Sequence, residues 1–139
     1  TDLNWGSYST QMNLFFEQYD LYLTPSTASV APKNGEIVTP AWQKPILKAL
    51  LKVGKAHYLA QGKLVDKMVQ DNLSWVPFTQ LANVTGLPAM SVPLYWNKNG
   101  LPLGSQFIAP FGREDQLLQL AAQLEQAQPW MPQYQNIKI

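Results

Sequence analysis

The stretch from Pro77 to Pro110, PFTQLANVTGLPAMSVPLYWNKNGLPLGSQFIAP, leaves the chain few ways to fold. Phe78, Leu81, Ala82 and Val84 recur at helical spacing, so the stretch opens as a helix. The reading extends that helix over Trp75–Val84, with Asn72 or Ser74 as its cap and Pro77 in its first turn. Gly86 suits a left-handed helix end, and Pro88 blocks continuation. Ala89–Trp96 is rich in β-forming residues and mostly apolar, which predicts a strand covered on both faces. Asn97-Lys98-Asn99-Gly100 then reads as a hairpin turn, because Asn-Gly adopts positive φ at little cost. Leu103–Ala109 returns as the antiparallel partner.

The flanking sequence supplies the rest of the architecture. Met12, Phe15, Phe16 and Tyr19 stripe a helix over Tyr8–Tyr19, for which Ser7 or Ser9 is the expected cap. Asp20 ends it and opens a short strand, Leu21–Thr24, bounded by Pro25. Ser26–Pro40 carries the breakers Pro32, Asn34-Gly35 and Pro40, and reads as a loop. Lys44–Val69 reads as a helix in two parts, weakened at Gly54 and Gly62 by about 1 kcal/mol each relative to Ala. Gly112-Arg113-Glu114-Asp115 turns into a last helix striped by Leu117, Leu118, Leu120, Ala121 and Leu124, and Pro129 stops it. Residues 130–139 read as a flexible polar tail.

Strands alternating with helices predict an α/β fold with a small mixed sheet. In this reading Leu21–Thr24 lies beside Ala89–Trp96 as a parallel pair joined by a right-handed helical crossover, and the antiparallel hairpin completes the sheet. At 139 residues the chain is one domain's worth, residues 1–139. A net charge of +1 gives no footprint for nucleic acid or an anionic membrane. No apolar run reaches membrane-spanning length. Without cysteine, disulfides and thiolate metal sites are excluded. The chain opens Thr1-Asp2-Leu3 without methionine, so the reading expects a fragment, and the lack of a visible leader says nothing about a longer parent.

The reactive side chains are sparse. His57 is the sole histidine, and Asp66 lies more than two helical turns beyond it, too far along the helix to orient it as in a triad. A helix-surface position accounts for His57, and one histidine without clustered carboxylates does not make a metal site. Lys44, Lys48, Lys52 and Lys55 share one helical side, with Lys63 and Lys67 beyond; a solvated face and an anion-binding face are the two readings, and the lack of aromatic interleaving favours the first. Glu114 and Asp115, at a helix start, complement the helix dipole. Asn72-Leu73-Ser74 and Asn83-Val84-Thr85 match the glycosylation pattern, but Asn83 falls in a segment expected to be buried, where a bond to the following turn suits it better.

Several ordered blocks carry a resemblance. Asn83-x-Thr85-Gly86-x-Pro88-Ala89-x-Ser91-x-Pro93, followed by Asn99-Gly100-Leu101-Pro102-x-Gly104-x-Gln106, resembles the C-terminal part of the amidase signature family. Tyr19-Asp20-Leu21-Tyr22-Leu23-Thr24-Pro25 resembles that family's strand ending in Thr-Pro, and Glu114–Leu118 through Ala121–Glu125 to Pro129-Trp130 resembles its closing helix. The resemblance implies the C-terminal part of an α/β/α fold whose parent hydrolyses or transfers amide groups. It implies chemistry by a serine nucleophile, a second serine on a cis peptide that relays the proton, and a lysine base.

The Gly/Ser-rich segment that carries those groups in the family is absent from this sequence, so no catalytic residue is assigned and the chain alone is expected to be inactive. The resemblance places Trp75, Phe78 and Thr79 at the entry of a helix that lines the acyl or leaving-group pocket, as substrate-binding residues; core packing of the two aromatics is the other reading. Trp42 and the helix after it are the candidate pocket wall or lid. The implied partner is a small-molecule amide substrate in the whole enzyme, with no cofactor, no metal, no nucleic acid and a cytoplasmic setting. Two alternatives stand beside this: a non-catalytic binding module derived from an amidase, and part of a glutamine-amide transferase subunit. Sheet edges exposed by the cut predict self-association.

Overall fold

In the computed structural model, residues 5–32, 70 and 73–135 are described. Contacts divide the chain into two units, residues 1–31 with 76–139, and residues 32–75. Every element below belongs to the first unit. The expected Lys44–Val69 helix, His57, Asp66, Trp42, the lysine row and most of the Ser26–Pro40 loop lie outside the described residues.

The elements in chain order are α1 (Trp5–Phe16), β1 (Tyr22–Pro25), α2 (Gln80–Thr85), β2 (Ala89–Trp96), β3 (Pro102–Ile108), α3 (Glu114–Ala127) and α4 (Met131–Gln135). Helix α1 starts earlier than its apolar stripe suggests, so Ser7 and Ser9 lie inside it rather than at a cap. Helix α2 is shorter than expected: turns occupy residues 74–79, Ser74 does not stand at its start, and Asn72 lies outside the described residues. Its end follows the sequence reading, with Gly86 at φ 68° donating its N–H to the Ala82 carbonyl at 2.9 Å. Asn83 is exposed on this helix, not buried, and the side-chain bond in that turn comes from Thr85, whose Oγ1 donates to the Leu81 carbonyl at 2.7 Å. Helix α4 occupies the start of the segment read as a tail, and its Tyr134 ring meets Trp96 edge-on at 5.0 Å.

The sheet order is β1-β3-β2, and both pairings are antiparallel. The expected parallel pair is therefore corrected: β1 and β2 share the sheet, but β3 lies between them. Pro93 gives the physical reason. It has no N–H to offer a ladder, and the register of β2 slips between Val92 and Tyr95, which marks a bulged edge strand. β1 joins on the other side of β3 and runs antiparallel to it, so β1 and β2 point the same way without pairing. The hairpin turn itself is as read: the Asn97 carbonyl accepts from Gly100 N–H, Asn97 Oδ1 accepts from the N–H groups of Asn99 and Leu101, and Gly100 sits at φ 75°.

Helices cover both faces of the sheet. On one face Ile108, fully buried, packs with Met12 of α1, with Ala82 of α2 and with Leu87. Phe15 stacks on Tyr19 at 4.6 Å and meets Tyr22 edge-on at 5.5 Å, which ties α1 to β1. On the other face Phe107 and Val92 pack with Ala109 and Leu117 of α3. Full burial of each of the larger side chains here (Ile108, Phe107, Val92, Met12, Leu87 and Leu117) contributes roughly 1.5–3 kcal/mol. The bulge leaves the Leu94 carbonyl to accept from Gln128 Nε2 at 3.2 Å, which fixes the end of α3. Glu114 and Asp115 occupy the first turn of α3, as the dipole argument requires.

Candidate functional site

Strand alternation puts residues 104, 106 and 108 of β3 on the face covered by α1 and α2. The register then builds rungs across all three strands. Tyr22, Ile108 and Ala89 form an apolar rung, and Thr24, Gln106 and Ser91 form a polar one beside it. Beyond that, Ser26 extends the ladder by donating its N–H to the Gly104 carbonyl at 2.8 Å. The Ser26 and Ser91 hydroxyls hydrogen-bond to one another across Gly104, which has no side chain to separate them.

Two members of the polar rung are buried and the third, Ser91, is exposed at the edge of the sheet. Gln106 is 5% exposed and Thr24 is 9% exposed. The Gln106 Nε2 donates to the Phe78 carbonyl at 3.3 Å, and the Thr24 Oγ1 has no hydrogen-bond partner among the described residues. An orphaned buried hydroxyl of this kind costs about 1–3 kcal/mol. The row holds hydroxyls and a carboxamide but no charge.

The candidate residues from the sequence are placed as follows. Phe78 is exposed and Thr79 half-buried in the turn that enters α2, and Gln106 ties that turn to the polar rung. Thr79 turns its hydroxyl back to the Val76 carbonyl at 3.1 Å. Trp75 is half-buried in the same run of turns but belongs to the unit of residues 32–75. Ser26, Thr24, Ser91 and Gln106 carried no role in the sequence reading. Ser91, Gly104 and Gln106 stood inside the quoted motif, so the signal was present, but only the register shows that they meet.

The opposite face of the same strands forms an open groove of about 290 Å³ lined by uncharged residues, among them Leu23, Tyr95, Leu103 and Ser105. Leu23 and Tyr95 are more than half exposed there. Among the described residues the basic side chains are Lys98 in the hairpin turn and Arg113 before α3, so no base stands beside the paired serines. Arg113 instead forms an exposed ion pair with Asp115 at 3.0 Å. The hydrogen bond from Arg113, joined by its charge, holds the Asp115 carboxyl below its ordinary range. Among the described residues no group of His, Asp or Glu side chains is arranged to hold a metal ion, and no helix is long and apolar enough to cross a membrane.

Residues 2–118 match the amidase family model, well over half of the chain. This chain belongs to the amidase family. The lipoamidase of Enterococcus faecalis is 38% identical over 128 residues, 90% of this chain and 17% of the relative. The 6-aminohexanoate-cyclic-dimer hydrolase of Paenarthrobacter ureafaciens is 35% identical over 113 residues, 81% of this chain and 20% of the relative. A solved structure of 6-aminohexanoate cyclic dimer hydrolase complexed with substrate superposes with a TM-score of 0.67 at 31% identity, covering 91% of this chain and 23% of that one. The chain thus spans about a fifth of the length of these amidase relatives.

Proposed function

We propose that these residues form the C-terminal, sheet-completing and pocket-wall portion of an amide hydrolase, whose Ser-Ser-Lys chemistry is carried by polypeptide outside them. The observation that supports this most is the pairing of Ser26 with Ser91. Two serines in hydrogen-bond contact are only weak nucleophiles, because activation needs an adjacent base. Among the described residues neither Lys98 nor Arg113 is placed to serve. The polar rung is thus suited to holding a wall in place and not to breaking a bond.

Phe78 and Thr79 provide an aromatic ring and a hydroxyl at the entry of α2, the mix that an apolar pocket with a few polar contacts requires. Trp75, the third residue that the resemblance named, belongs to the unit of residues 32–75 and is not part of this wall. The substrate in this reading is a small-molecule amide, as membership of the amidase family implies.

Exchanging the segments tests the reading. The matching segment of the Paenarthrobacter ureafaciens hydrolase is replaced by residues 2–118 of this chain, and hydrolysis of the cyclic dimer is measured. Retained turnover is the expected result. A soluble, folded swap without turnover would contradict the reading.

A further inference from the structure

Resting on the reading of Phe78 and Thr79 as pocket wall, we infer that Gln106 is the positioning residue that fixes this wall to the sheet. Helix α2 has six residues, too few to be stable alone in water. It also lacks a local cap. Thr79 occupies the N-cap position, yet its backbone is helical (φ −73°, ψ −19°) and its side chain makes no capping bond, since the hydroxyl is committed to Val76. The approach to α2 is therefore held from elsewhere.

Gln106 supplies that hold. It is buried in the middle strand, one alternation from the fully buried Ile108, where an apolar side chain would ordinarily be favoured. Its carboxamide reaches the Phe78 carbonyl, a contact between residues 28 apart in sequence. Thr24 and Ser91 flank it on the same rung and confine it from both sides, while Gly104 places no side chain next to it on that face. The Phe78 ring and Thr79 hydroxyl then stand where the Gln106 amide puts them. Gln106 acts on substrate binding through this turn and touches no reacting atom.

The test compares Gln106→Met, nearly isosteric but without a donor, with Phe78→Ala, which removes the ring and keeps the carbonyl. Hydrogen exchange of the chain itself is read at the amides of Gln80–Gly86 and at Phe107 and Ile108. Gln106→Met is expected to speed exchange in α2 about tenfold while leaving Phe107 and Ile108 unchanged, and Phe78→Ala leaves α2 within about twofold. In the segment swap, Gln106→Met is expected to raise KM about fivefold or more with kcat within about twofold. Unchanged exchange in α2, an equal rise throughout β3, or a fall in kcat at constant KM would overturn the inference. If the swap carrying the native segment does not turn over, the proposed function falls, and the exchange result alone decides the role of Gln106.

Discussion

Ser26 and Ser91 lie on opposite sides of β3, and their hydroxyls hydrogen-bond across it at Gly104. A methyl group at position 104 would stand 2.6 Å from the Ser26 Oγ and 3.0 Å from its Cβ, and would collide with the Ser91 Oγ as well. Gly104→Ala should therefore destabilise the fold by about 1–3 kcal/mol, although alanine restricts the unfolded chain more than glycine does. In urea the unfolding midpoint should fall with the slope unchanged. A midpoint equal to that of the native chain would mean that the serines do not meet as described.

Thr24→Val should act in the opposite direction. The substitution keeps the shape and deletes the buried hydroxyl that has no partner among the described residues. Removing an orphaned polar group should stabilise the chain by about 1 kcal/mol, read as a higher thermal midpoint. A clear loss of stability would show that Thr24 Oγ1 is bonded in solution.

The two faces of the sheet differ in what they tolerate. Ile108 is fully buried, so Ile108→Ala should cost about 2–5 kcal/mol through lost transfer and a residual cavity. Leu118 on α3 is 71% exposed, and Leu118→Ala should stay within about 0.5 kcal/mol. Chemical denaturation of the two variants side by side checks the contrast. Equal costs would mean that the core is misplaced.

Asp115 gives a pH dependence with a definite sign. Its pKa is lowered, first by the hydrogen bond from Arg113. Any stability it adds is present above the ordinary carboxylate range and is lost as pH falls through the lowered value. Both side chains are exposed, so the effect on stability is small. An NMR titration should place the Asp115 midpoint below that of a free aspartate, and Arg113→Ala should move it back up. No movement in that variant would remove the pairing as the cause.

Local rules made much of the fold legible in the sequence. β2 has the bounds read from its β-forming run, and Gly86 and Gly100 take the positive φ values their turns demand. The sheet order was not legible in this way. Among the described residues β2 is an edge strand whose register slips beside Pro93, and an apolar run with a proline inside it does not by itself say which strand pairs with which. Of the candidate site, the resemblance offered Phe78 and Thr79 as residue types without a geometry, whereas Thr24, Gln106 and Ser91 sit on three strands far apart in sequence and become neighbours only through the register. The boundary of α2 was missed because periodicity ran on through residues 75–79, where Pro77 and the turns interrupt the backbone.

The most direct measurement is amide hydrolysis by the purified chain itself, on simple aliphatic and aromatic amides. If these residues hold a pocket wall and the bond-breaking groups lie outside them, release of ammonia or amine stays at the rate of the buffer blank. Turnover that tracks with the chain through purification to homogeneity would contradict the account.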